Sequence, residues 1–266
     1  MTNQMANYTV ENFPAARRLI VEAGRMGSRR SLIHGLLEID VTRARTALRD
    51  HKARTGEALS FTAFVVACFA QAIEADKRVQ AKQDWRGRLI IFDEVDVVTL
   101  IEVERGGVAI PHIIRAANHK SFRQIHDEIR AVQTRPTRSA QRSSPIMRLA
   151  PRLPAIFRKP FYGWLLKNPV RLKQYSGTCT VTSVGMFGRG SGWGITFLPL
   201  HTLGLTVGGI AEKPGVIDGR IEIREYLDLT ITFDHDVVDG APAARFAQRL
   251  KEHLESGYGL DVIAVD

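Results

Sequence analysis

The chain has 266 residues, 44% of them hydrophobic and 24% charged, with a formal net charge of +9 and two cysteines. That length and balance suffice to bury a sizeable core and exclude a wholly disordered chain or a disulfide scaffold. No stretch approaches the roughly 20 apolar residues of a membrane-spanning helix, and MTNQMANYTVENF lacks the pattern of a signal peptide, so a cytoplasmic protein is expected.

In chain order, hydrophobic periodicity predicts a strand over 32–41 and helices over 42–54 and 60–76. Strands near 88–92, 96–104 and 107–114 follow, then a helix over 121–132, strands over 178–184 and 203–208, a hairpin-like pair near 216–233 and a final helix. Phe61, Phe64, Val65, Cys68, Phe69, Ala72 and Ile73 give the 60–76 helix a broad apolar face, as for a central core element. Cys68 and Cys179 read as small core residues; neither metal-ligand spacing nor any metal site is predicted.

The strongest chemical signal lies near the C-terminus. Leu227, Leu229, Ile231 and Phe233 alternate with Asp228, Thr230, Thr232 and Asp234, a half-buried strand that runs into His235-Asp236-Val237-Val238-Asp239-Gly240. Pro242 then suits the first turn of a helix whose apolar residues recur at Ala243, Phe246, Ala247, Leu250 and Leu254, with Gly257 as its stop. A histidine at the end of a buried strand is held rigidly, with one ring nitrogen free to take a proton, and reads as a general base. The plainer reading is a structural histidine with Asp239 as a helix N-cap.

His235-x-x-x-Asp239-Gly240 resembles the active-site signature of the dihydrolipoyl acyltransferase components of 2-oxoacid dehydrogenase complexes, which share the chloramphenicol acetyltransferase fold. The resemblance continues through Leu36–Thr42, Leu59–Phe64, Gly107–Pro111, Lys120–Phe122 and Gly177–Gly185, in the family's order. It implies an α/β, chloramphenicol acetyltransferase-like fold with a mixed sheet flanked by helices, formed by residues 1–266 as one catalytic domain. It also implies a coenzyme A-dependent acyltransferase, with acyl-CoA as substrate, that moves an acyl group to a dihydrolipoyl-like thiol by general-base catalysis. His235 would be the base, and Thr182, three residues before Gly185, would hydrogen-bond the oxyanion; Ser183 is the one-residue-slip alternative. Asp239 would hold the histidine loop, in the family often through an arginine near the first strand, here Arg29 or Arg30. The assembly implied is a homotrimer or larger, with the histidine of one subunit facing the hydroxyl of its neighbour. No coenzyme A-binding residues are assigned.

Departures from the family's pattern bear on substrate. No lipoyl domain precedes the catalytic region, so no lipoyl group is expected on this chain, and a lipoyl or acyl-carrier domain would be supplied in trans. Asp236 replaces a basic residue, Leu198-Pro199 stands where Asn-Pro is usual, and a lysine common in the buried helix is replaced around Ala67. Gly188, Gly190, Gly192 and Gly194 around Trp193 form a loop fit to line the substrate channel that the resemblance implies between subunits. Residues 134–174 form a basic, Pro-rich insert whose ten Lys and Arg residues, with no Asp or Glu, account for the whole net charge. It reads as an arm packing on its own subunit or a neighbour, or as a surface for an acidic carrier domain, for coenzyme A phosphates or for an anionic membrane. Nucleic acid is the weakest reading, since no recognised module accompanies the charge. Two alternatives stay open: acyl transfer to a small hydroxyl or amine, and a non-catalytic trimeric scaffold that binds an acidic partner through the insert.

Overall fold

The computed structural model describes residues 8–10, 21, 24–25, 27–28, 30–102, 110–134, 160, 163–165, 167–184 and 190–261. Their main feature is a mixed six-stranded sheet. Its strands are β1 (Leu32–Asp40), β4 (Val97–Ile101), β5 (Ile110–Ile114), β6 (Cys179–Ser183), β7 (Leu203–Ile217) and β8 (Arg220–Asp234), and β2 (Lys82–Gln83) and β3 (Leu89–Ile90) form a small separate ladder. The order across the large sheet is β1-β8-β7-β6-β4-β5. β6 runs parallel to both β7 and β4, while the β1–β8, β7–β8 and β4–β5 pairs are antiparallel.

Strand alternation gives this sheet two different faces. Ile39, Val97, Val181, Leu205, Leu229, Ile231 and Phe233 belong to the apolar core. The helices that cover them are α1 (Thr42–Thr55), α2 (Phe61–Glu74), α3 (Phe122–Thr134) and α5 (Gly240–Ser256). α2 is the central one, with ten buried residues, and it starts where the Ser60 hydroxyl accepts from the Ala63 N–H at 3.2 Å. Such a cap satisfies one of the four N–H groups that a helix start leaves unpaired. Phe246 of α5 packs edge-on against Phe69 of α2 and Phe233 of β8, with centroids 5.9 and 5.7 Å apart. That contact ties the end of β8 to the core two residues before His235.

The opposite face carries Thr182, Thr206, Asp228, Thr230 and Thr232, all buried. The segment 191–201 crosses it. Thr206 donates to the Thr196 hydroxyl at 2.8 Å, and the Trp193 indole N–H donates to the Leu37 carbonyl at 3.3 Å.

The predicted elements are recovered with small boundary shifts, except in the last hairpin. The strand expected to stop at 208 continues to Ile217 as one 15-residue strand paired along β8. Gly208 and Gly209 do not end it. They stand together opposite Asp228 as a bulge, where the register shifts between Val207 and Ile210. An added helix, α4 (Pro169–Ser176), opens with Asn168 accepting from the Arg171 N–H and with Pro169 in its first turn. The expected 107–109 strand segment and residues 135–159 of the basic insert lie outside the described residues.

Candidate active site

β8 delivers His235 to a turn fastened on both sides. The Asp234 N–H donates to the Thr202 carbonyl at 2.8 Å, just before β7, and the His235 N–H donates to the Ser31 carbonyl at 2.7 Å, just before β1. The Asp234 carbonyl accepts from Val237 and Val238, and its carboxylate from the Asp236 N–H at 3.2 Å. Arg30 reaches across to the same carboxylate at 3.3 Å and donates to the His201 carbonyl at 2.7 Å. Burial pushes the Asp234 carboxyl above the usual carboxylate range, and the Arg30 guanidinium opposes that shift.

The backbone around His235 is thus fixed while its side chain stays 44% exposed. A rigid imidazole open to solvent can exchange a proton with a bound nucleophile. Its Nδ1 lies 3.9 Å from the Asp239 carboxylate, which is itself 86% exposed. That separation is an ion-pair contact and exceeds a hydrogen bond. Asp239 occupies the N-cap position of α5 without a side-chain cap bond. Of the two arginines expected on Asp239, Arg30 is on the buried Asp234 carboxylate instead. Arg29 lies outside the described residues.

Thr182 sits near the end of β6, paired with Thr206 of β7, on the polar face. Ser183 points to the other face, as alternation requires. His235 and Thr182 are not neighbours within the chain. Thr182 is level with Thr206 and, across β7, with Thr230, whereas His235 lies five residues further along β8. At about 3.4 Å per residue and about 4.8 Å per strand, the two are on the order of 20 Å apart.

The glycine loop has a structural anchor. The fully buried Asp228 carboxylate accepts from the Ser191 hydroxyl and the Gly192 N–H, and the Gly209 N–H donates to the Gly192 carbonyl at 2.9 Å. Lys213, paired with Glu38, lies 3.8 Å from the other Asp228 oxygen. A side chain at Gly208 or Gly209 would overlap the carbonyl of Gly192 or Gly190, so the bulge and loop need glycine to approach so closely. Gly188 lies outside the described residues.

Arg30, Asp228 and Asp234 were not singled out from sequence as a buried charged set, because alternating strand polarity reads equally well as a solvated face. From the described end of the basic insert, Arg171 stacks on Trp164 and Lys173 pairs with Glu94 at 2.9 Å. Those two charges are engaged within the chain. Both cysteines are buried thiols; burial pushes Cys68 far above the usual thiol range and Cys179 up to about 12. Among the described residues there is no cluster of three or more His, Cys, Asp or Glu able to hold a metal, and no helix is long and apolar enough to cross a membrane.

A family model described as 2-oxoacid dehydrogenases acyltransferase (catalytic domain) matches residues 31–144 and 168–260. The chain belongs to this family. The residues the acyltransferase model leaves unmatched between its two stretches fall inside the basic segment. The lipoamide acyltransferase component of the branched-chain alpha-keto acid dehydrogenase complex of Bacillus subtilis (strain 168) is 27% identical over 226 residues, 83% of this chain and 46% of that protein. The chain spans about half the length of the curated relatives it matches. A probable dihydrolipoamide acetyltransferase from Listeria monocytogenes superposes with a TM-score of 0.71 at 21% identity, covering 95% of this chain and 96% of that one. The cubic core of the pyruvate dehydrogenase multienzyme complex gives 0.69 at 19% identity, covering 98% of each. Chloramphenicol acetyltransferase gives 0.52 at 14% identity, covering 91% and 96%, so the fold is of that kind.

Proposed function

We propose that this acyltransferase domain moves an acyl group between coenzyme A and a dihydrolipoyl-type thiol. The observation that carries the reading is the His235 turn, a histidine with a fixed backbone and an open ring at the end of a buried strand. The lipoamide acyltransferase relative supports the choice of acceptor.

His235 takes the proton of the attacking thiol as its sulfur bonds to the thioester carbonyl carbon. The carbonyl electrons move onto oxygen, and the Thr182 hydroxyl donates a hydrogen bond to that oxyanion. When the tetrahedral adduct collapses, the carbon–sulfur bond to the departing thiol breaks and the imidazolium returns its proton to that sulfur. Because Thr182 and His235 of one chain are too far apart to share a substrate, the threonine comes from a second copy. A closed cyclic trimer is the assembly that supplies one composite site per chain, and the relative solved as a cubic core supports association of this kind. Asp239 orients the ring electrostatically from outside hydrogen-bonding range.

The test is turnover of acetyl-, propionyl- and branched-chain acyl-CoA with free dihydrolipoamide, read by separating the acylated product. His235→Ala is expected to lower turnover by about 10²–10⁴, the usual worth of a positioned base, with folding and assembly unchanged. A fully active variant would sink the mechanism.

A further inference from the structure

Behind the His235 turn lies a cavity of about 300 Å³, whose polar lining comes from Arg30, Lys82, Gln83, Thr202, Asp234 and Asp236. The residues α4 contributes to its wall are apolar. Lys82, in the two-residue strand β2, is 6% exposed, and its Nζ is buried with no hydrogen-bond partner among the described residues.

A buried ammonium ordinarily has a carboxylate beside it, because an unpaired charge in a low-dielectric site is costly. The candidates here are otherwise engaged. Asp234 is taken by Arg30 and by the Asp236 N–H, and Asp236 itself is exposed at the rim. His201, two residues before β7, donates its ring N–H to the Ser176 carbonyl at 2.6 Å, and burial pushes it down to about 3, so it stays neutral. Cys179 of β6 is pushed up to about 12 and stays a thiol. Two cations and one committed carboxylate therefore meet inside the cavity wall. Burial, with Arg30 repelling in the same direction and Cys179 weakly opposing, pushes Lys82 down to about 7.

We propose that this cavity is an oxyanion site, in which Lys82 and Arg30 together hold a small carboxylate, sulfate or phosphate-type group against the back of the turn that carries His235. The occupant supplies the counter-charge that the described residues leave out. Because Arg30 also holds Asp234, the occupant shares its anchor with the catalytic turn.

Sulfate and acetate, neither of which titrates above pH 6, are the probes. Calorimetric titration of the assembled protein is expected to show saturable binding at pH 6, weakening about tenfold for each pH unit above 7 as the Lys82 ammonium is lost. Lys82→Met, which keeps the stem and removes the charge, is expected to abolish binding. Should that variant fail to fold, the pH dependence in the wild-type protein carries the same test. Binding that does not depend on pH, survives in folded Lys82→Met, or fails to saturate at tens of millimolar would overturn the proposal. Competition separates two sources of such a group: sulfate displaced by coenzyme A places the oxyanion on that substrate, and sulfate retained in its presence makes it a free anion. None of these readings requires turnover, so loss of the acyl-transfer assignment and loss of this site are told apart.

Discussion

At the scale of single residues, the candidate site separates groups that touch substrate from groups that hold them. In the proposed mechanism His235 and Thr182 are of the first kind. Thr182→Ala is expected to lower turnover by about 10²–10³, the usual effect of losing one oxyanion donor, while Thr182→Ser keeps the hydroxyl and most of the rate in the same assay. Arg30, Asp234 and His201 are of the second kind: Arg30 and Asp234 pair at the turn, His201 holds Arg30 through its carbonyl, and none is open as His235 is. His201 also sets an acid limit on stability. Its folded pKa lies near 3, well below the roughly 6.5 of an unfolded histidine, so between those values the unfolded chain binds the extra proton. Stability then falls as pH drops through that window, by about 1.4 kcal/mol per pH unit for this group. His201→Gln, which retains an N–H donor for the Ser176 carbonyl, should flatten that slope in urea titrations at pH 4, 5 and 7. An unchanged slope would mean that other groups govern the acid side.

At the scale of elements, the β7–β8 hairpin sets both halves of the architecture. Its inward face builds the core, while its outward face carries the bulge that Asp228 locks to the Gly190–Gly194 loop. A methyl group at Gly208 has nowhere to go: it would meet the Gly192 carbonyl on one side and the Asp228 backbone on the other. Gly208→Ala should therefore cost about 1–3 kcal/mol, the usual price of overpacking a rigid contact, and appear as a lower denaturation midpoint. Asp228→Ala should cost a similar amount by removing the buried acceptor that the Gly192 N–H and the Ser191 hydroxyl share. These elements were partly legible beforehand. The alternation of Leu227 to Phe233 located β8 and its histidine, but the Gly208-Gly209 pair read as the end of a strand. Whether paired glycines stop a strand or bulge within it depends on what crosses above them, here a loop about 16 residues upstream.

At the scale of the whole molecule, the sheet keeps His235 and Thr182 of one chain on the order of 20 Å apart, so the proposed mechanism ties activity to assembly. Mixing His235→Ala and Thr182→Ala chains tests this directly. Each variant alone is expected to be nearly inactive, but random co-assembly leaves roughly a quarter of the composite sites with both intact groups. Recovery of about that fraction of wild-type turnover after joint refolding supports a site shared between copies; no recovery would place both groups in one chain's site. The basic segment belongs to this scale too. In its described part, Arg171 stacks on Trp164 and Lys173 pairs with Glu94 of the same chain.

Sequence by itself determined the elements, the faces of β6 and β8, and the histidine turn, because each of these is written in local periodicity and in a short motif of turn residues. It also carried the family, since the motifs keep their order along most of the chain. Tertiary structure alone decided that Arg30 serves Asp234 rather than Asp239, that Asp228 is a buried lock, that the Lys82 ammonium has no hydrogen-bond partner among the described residues, and that His235 and Thr182 of one chain lie apart. Each of those facts depends on which distant strands lie side by side and on how much water remains between them. Neither quantity has a local signature in the chain.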